Sequence, residues 1–154
     1  MSKARRIAYF TDPYEHIVQI SGVVIVAQDH DDRIALIRHR IPLHGGVLTL
    51  PGGGIEDGED PLTAAKRELE EEAGITAAVW TSLGTTVPMT RSTMKLHMYA
   101  ATNLSAGVQA LTATEAEQGR TVEWMPRKDA VQAVLDGRIQ LAGAALALLL
   151  ADRI

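Results

Sequence analysis

A glycine-rich turn followed by a capped helix crowded with carboxylates constrains this chain more than any other feature. From Gly53 to Ile75 the sequence reads G-x5-E-x7-R-E-L-x-E-E-x-G-I, which sets Glu59, Arg67, Glu68, Glu71, Glu72 and Gly74 at fixed intervals. Pro51 and the glycines 52 to 54 are expected to break regular structure ahead of it. Asp60 can cap a helix start, Pro61 suits the first helical position, and Gly74 suits the left-handed position beyond the end. Leu62, Ala65, Leu69 and Ala73 recur at three- and four-residue steps and predict the core-facing stripe.

On such a helix Glu68 lies one turn before both Glu71 and Glu72, because residues three and four apart share a face. Three carboxylates held this close repel one another unless a cation sits between them. Hard oxygen donors of this kind suit Mg2+ or Mn2+. Arg67 can pair with Glu71 one turn on, or with Glu59 at the far end of the loop, and either pairing holds geometry rather than performing chemistry. Glu70 is expected to face solvent. The competing reading is a solvated helix face, which is what a run like Glu70 to Glu72 usually is. The glycine turn, the two caps and the interval to Glu59 outweigh it.

The totals narrow the field further. A chain of 154 residues suits one domain, expected to run from residue 1 to 154. The net charge of −4 supplies no general basic field, so neither DNA nor RNA is expected as a partner. There is no cysteine, which excludes disulfides, thiolate metal sites and cysteine nucleophiles and fits a reducing cytoplasm. Met1 to Phe10 carries Lys3, Arg5 and Arg6 but no apolar run of signal-peptide length. Leu141 to Ala151 is about half the ~20 residues a membrane helix needs, and reads as a buried terminal helix or a subunit contact. A soluble cytoplasmic protein, with a homodimer as an open option, is the expectation.

Along the chain, Val18 to Ala27 includes the β-branched run Val23 to Val26 and is strand-like, Asp29 to Asp32 is a polar turn, and Arg33 to Arg38 is a second apolar run. The three together predict a hairpin. Pro42 to Gly46 reads as a loop and Val47 to Leu50 as a short strand. Ala77 to Val87, Thr93 to Thr102 and Thr121 to Met125 read as strands, with a long polar connection from Leu104 to Gly119. Helices are expected over Lys128 to Leu135 and from Gln140 onward. No dinucleotide fingerprint is complete after Gly52, and no Gly-Lys-Ser/Thr follows a glycine loop. His16, His30, His39, His44 and His97 lack ligand spacing, while Trp80 and Trp124 read as core or interface aromatics.

The segment Gly53 to Ile75 resembles the Nudix box of the Nudix hydrolases at all of its defining positions. A weaker likeness, strand by strand, extends over residues 18 to 150. The resemblance implies an α/β fold, an α/β/α sandwich on a mixed β-sheet, with the box as a loop–helix–loop. It implies hydrolysis of a nucleoside diphosphate linked to another moiety, by attack of a metal-activated water on a pyrophosphate phosphorus. The partner it implies is thus a small-molecule nucleotide, with Mg2+ or alternatively Mn2+ as cofactor. By position, Glu71 and Glu72 would be metal ligands, Glu68 a ligand or general base, and the Gly53 carbonyl a candidate ligand. Glu59 would be a further ligand or a structural partner of Arg67.

Three weaker features resemble the ADP-ribose and nucleotide-sugar pyrophosphatases, one of them the closing stretch Ala130 to Leu150, which is similar to their terminal helices. Thr114 to Gln118 is similar to the acidic loop from which such enzymes extend a catalytic base or an extra ligand, which makes Glu115 and Glu117 candidates beside Glu68. Leu36 to Arg40 is similar to the stretch whose arginines contact substrate phosphates, which makes Arg38 and Arg40 candidates. Nucleoside triphosphates are the alternative substrate. A Nudix-fold module that senses nucleotide without turnover is the alternative of another class.

Overall fold

The computed structural model describes residues 7–10 and 16–153, so most of the charged stretch Met1 to Phe10 lies outside the described residues. In chain order the elements are β1 (Ile7–Phe10), β2 (His16–Gln19), β3 (Gly22–Ala27), β4 (Arg33–Ile41), β5 (Gly45–Thr49) and β6 (Gly52–Gly54). Helix α1 (Pro61–Ala73) follows, then β7 (Ile75–Thr86), β8 (Leu96–Ala106), the short α2 (Ala113–Glu117), β9 (Thr121–Pro126), α3 (Arg127–Leu135) and α4 (Ala142–Ala151).

β3 is the spine. Its run of β-branched residues is buried from end to end, as suits a strand covered on both faces. β3 pairs antiparallel with β6 and parallel with β8, and β8 pairs antiparallel with β7, giving the order β6-β3-β8-β7. Alternation along β3 splits the core in two. Val23, Ile25 and Ala27 face α1 with Ala64, Ala65 and Leu69. Val24 and Val26 face the other way, toward Ala130 and Ala133 of α3 and Ala144, Ala147 and Leu148 of α4. The layers are helix, mixed sheet, helix, as the α/β/α expectation has it. Each large side chain fully buried here, such as Ile25, Ile34, Leu36 and Leu69, contributes about 1.5–3 kcal/mol relative to exposure.

The hairpin expected across Asp29 to Asp32 does not form. β3 and β4 share one bridge, Gln28 with Ile34, and otherwise belong to different sheets, β4 lying between β5 and β9. Both edges of β3 are already taken by β6 and β8. The turn also leads away: Asp32 sits at φ +58°, and the Asp29 carboxylate accepts from the N–H groups of Asp31 and Arg33. The predicted strand Val18 to Ala27 is likewise interrupted at residues 20 and 21.

The glycine run after Pro51 is not free of regular structure either. It forms β6, paired Gly22 to Gly54, Val23 to Gly53 and Val24 to Gly52. Close approach explains the glycines, since a Cβ on Gly52 would lie 2.3 Å from the Val23 carbonyl oxygen. The helix ends fall where the caps predict. The Asp60 side chain accepts from the N–H groups of Leu62 and Thr63, and Gly74 closes the helix at φ +65°. The closing helix is buried along Ala144, Ala147, Leu148 and Ala151. No helix among the described residues is long and apolar enough to cross a membrane.

Gly52→Ala is therefore expected to cost more than about 2 kcal/mol in urea unfolding, because the clash is with backbone that cannot yield. Gly46→Ala, which meets open space in β5, serves as control and is expected to change stability by less than about 0.5 kcal/mol.

Candidate active site

Arg67 organises the site. Its Nε donates to Glu59 Oε1 at 2.9 Å, and its Nη2 donates to Glu59 Oε2 and to the Gly54 carbonyl, both at 2.9 Å. Its Nη1 donates to Glu68 Oε1 at 2.8 Å and to Glu71 Oε2 at 3.2 Å. One guanidinium thus fastens the far end of the loop, the glycine strand and two carboxylates of the helix, realising both pairings anticipated for it. The Glu59 hydrogen bonds, opposed by burial and assisted by Glu68, hold Arg67 far above the ordinary arginine value. The same bonds hold Glu59 below the usual carboxylate range.

The carboxylates differ sharply in surroundings. Burial pushes Glu68 up against the opposing pull of Arg67. Its carboxyl group lies against Gly53, where a Cβ would come within 2.4 Å, so Gly53 leaves the room that Glu68 fills. Glu72 is 3 % exposed and is held at both oxygens. Its Oε2 accepts from the Gly52 N–H at 2.9 Å, and its Oε1 is in direct contact with Arg120 Nη1. Glu71 is the open one, with its side chain 45 % exposed.

Glu70 does not simply face solvent. Its Oε1 accepts from the Val108 N–H at 3.3 Å, and it packs on Gly107, tying the helix end to the chain beyond β8. Gln109 adds a bond from Nε2 to the Glu72 carbonyl at 2.7 Å. The acidic stretch near residue 115 is not a loop but the helix α2, closed by a capping box between Thr112 and Glu115. Glu115 thereby spends one carboxylate oxygen on the Thr112 N–H at 2.8 Å, and its other oxygen lies 3.8 Å from Arg120 Nη2. Glu117 is exposed.

The structure does not bring Arg38 and Arg40 to the box. Arg38 pairs with Glu123 at 2.8 Å, lines a separate cavity with Glu123 and Arg138, and is 55 % exposed. Arg40 is exposed, and its backbone N–H donates to the Gln118 carbonyl. Strand alternation turns His39 between them the opposite way, into a cavity of about 530 Å³ beside the box. That cavity is bounded by residues 52 to 54, Glu72, Arg120, His39 and apolar side chains including Leu96 and Leu141. Burial, then the Arg120 charge, draw His39 below the ordinary histidine value, with Gln118 and Glu115 opposing. Of the polar residues of this cavity, Arg120 escapes the sequence reading, and His39 is set aside there for want of ligand spacing. Alternation around Arg38 and Arg40 could have found His39. For Arg120, one charge at the start of a strand, no local signal exists.

Among the described residues no three His, Asp or Glu side chains converge as the ligands of a filled metal site do, because Arg67 and Arg120 stand among the carboxylates. The donor chemistry nevertheless fits a hard divalent cation. Every candidate donor is an oxygen, and Glu59, Glu68, Glu71 and Glu72 outnumber the two guanidiniums that face them, leaving uncompensated negative charge.

The NUDIX domain family model matches residues 18–144. Among curated proteins, the chain is 35 % identical over 137 residues to a CMP-5'-(N-acetyl-N-hydroxy-3-aminopropyl)phosphonate hydrolase from Streptomyces rubellomurinus, covering 87 % of this chain and 65 % of that protein. It is 33 % identical over 133 residues to an ADP-ribose pyrophosphatase from Mycobacterium tuberculosis, covering 81 % of this chain and 61 % of the relative. The chain thus spans somewhat under two thirds of the length of both relatives. A crystal structure of an ADP compounds hydrolase superposes with a TM-score of 0.80 at 24 % identity, over 99 % of this chain and 88 % of that one, which shows the shared fold.

The Glu59–Arg67 pair has a pH signature. Because the folded pKa of Glu59 lies below its free value of 4.5, the stabilisation is fully present above that value and is lost as pH falls through the lower folded pKa. Thermal melts from about pH 7 to about pH 3 are expected to show Glu59→Gln well below wild type at neutral pH, with the gap closing in acid. A gap independent of pH would contradict the pairing.

Proposed function

The chain belongs to the NUDIX family, and on that premise we propose that it is a divalent-metal-dependent pyrophosphohydrolase acting on a nucleoside diphosphate linked to a second moiety, ADP-ribose or a nucleotide sugar foremost. The observation that carries this reading is the concentration of carboxylates on one helix face, Glu68 and Glu71 fastened with Glu59 by Arg67 and the buried Glu72 lining the adjoining nucleotide-sized cavity. Two relatives named for hydrolysing nucleotide-linked compounds support the substrate class.

Glu68, Glu71, Glu72 and the Gly53 carbonyl are the groups that would hold Mg2+ or Mn2+, and the bound ion would lower the pKa of a water and offset charge on the leaving phosphate. Arg67 and Glu59 keep the loop and helix in register, so the carboxylates meet the substrate already placed. Glu68 is the base this reading favours. Its burial raises its proton affinity, which suits a group that must take a proton near neutral pH. Glu115 is half committed to the Thr112 cap, and Glu117 stands free in solvent. The apolar walls supplied by Leu96 and Leu141 exclude water around the remainder of the substrate.

The test is a hydrolysis screen with Mg2+ and Mn2+ over nucleotide sugars, dinucleotides and triphosphates. Two monophosphates are the expected products, whereas release of inorganic pyrophosphate would point to triphosphate substrates. Nucleotide binding with no turnover across the panel would overturn the enzymatic reading. Glu71→Gln and Glu72→Gln are each expected to lower kcat at least about a hundredfold while circular dichroism stays unchanged. Glu68→Gln is expected to lose rate more than Glu115→Gln or Glu117→Gln, and the reverse order would move the base to α2.

A further inference from the structure

We propose that Arg120 is a built-in counter-ion for Glu72, which surrenders that carboxylate to a divalent cation and turns to the phosphates of a nucleotide in the adjoining cavity. The proposal rests on the functional reading above and adds to it a residue outside the box. Glu72 is saturated without any ion, by the Gly52 N–H on one oxygen and Arg120 on the other. The Gly52 N–H belongs to a strand packed hard against β3 and cannot withdraw. The arginine can. A cation that takes Glu72 must therefore displace Arg120, since two positive groups on one buried carboxylate oxygen repel strongly.

The two arginines of the site are held very differently. Arg67 makes five hydrogen bonds of 2.8 to 3.2 Å and is a fixed clamp. Arg120 has Glu72, a loose approach of 3.8 Å to Glu115, and a buried Nε without a hydrogen-bond partner among the described residues. A buried donor left unmade is costly, so a phosphate oxygen offered in the cavity is a better environment for this guanidinium than its resting one. Arg120 is also the only arginine or lysine lining that cavity among the described residues. His39, 8 % exposed with Nδ1 likewise unpartnered, lines the same cavity and offers a second polar contact to the incoming anion. Cation and phosphate are thereby coupled: each arrives more easily once the other has drawn Arg120 across.

Mn2+ binding to the full chain, read from the electron paramagnetic resonance of the free ion, tests this without any turnover. In the absence of nucleotide, Arg120→Gln is expected to bind Mn2+ about tenfold more tightly than wild type, while Arg120→Lys keeps wild-type affinity within about threefold. Adding AMP is expected to tighten Mn2+ binding to wild type and to leave Arg120→Gln unchanged. A merely structural arginine would act in the opposite direction, because its loss would loosen the site. Equal or weaker Mn2+ binding by Arg120→Gln overturns the exchange while leaving the metal reading intact. No saturable Mn2+ binding by wild type overturns both. If Arg120→Gln does not fold, the AMP effect on wild type decides alone, and its absence rejects the proposal.

Discussion

The guanidinium of Arg67 is the interaction on which the site depends. It reaches from the middle of α1 to Glu59 and to the Gly54 carbonyl, so the loop between β6 and α1 cannot shift without breaking it. It also neutralises part of the charge that Glu68 and Glu71 bring to the helix face. A part-buried charge holding several partners is costly to remove from either side, because its loss leaves carboxylates such as Glu68 without their counter-charge. Geometry and electrostatics are therefore set by the same group.

Around that clamp the architecture does little more than bring surfaces into register. β3, covered on both faces, presents Val23 and Ile25 to α1 and Val24 and Val26 to α4, and its β6 edge carries the glycines. Glycine at positions 52 and 53 lets backbone and the Glu68 carboxyl come closer than any side chain would allow. The helix face with the carboxylates is consequently pressed against a strand edge rather than dissolved in solvent. This is what separates Glu68 and Glu72 from an ordinary acidic helix.

What was legible in the sequence was local. Caps and a positive-φ glycine define α1 to the residue, because Asp60 and Gly74 act within one turn of the helix end. The pairing of Arg67 with Glu59 and Glu71 was legible for the same reason. Choices that depend on distant strands were not. The hairpin after β3 fails because β6 and β8 compete for its edges, and nothing near Asp29 reports that competition. Glu70 looks solvent-facing by helical phase, yet the chain beyond β8 folds over it. Arg120 meets Glu72 across 48 positions of sequence, and only the sheet brings them together.

Anomalous diffraction from crystals of the protein soaked in Mn2+ tests the central claim most directly, that these carboxylates are a divalent-metal site. The account predicts a manganese peak at coordination distance, about 2.2 Å, from carboxylate oxygens of Glu71 and Glu72, abolished in Glu72→Gln. Manganese bound elsewhere on the chain, or an unchanged peak in Glu72→Gln, would contradict it.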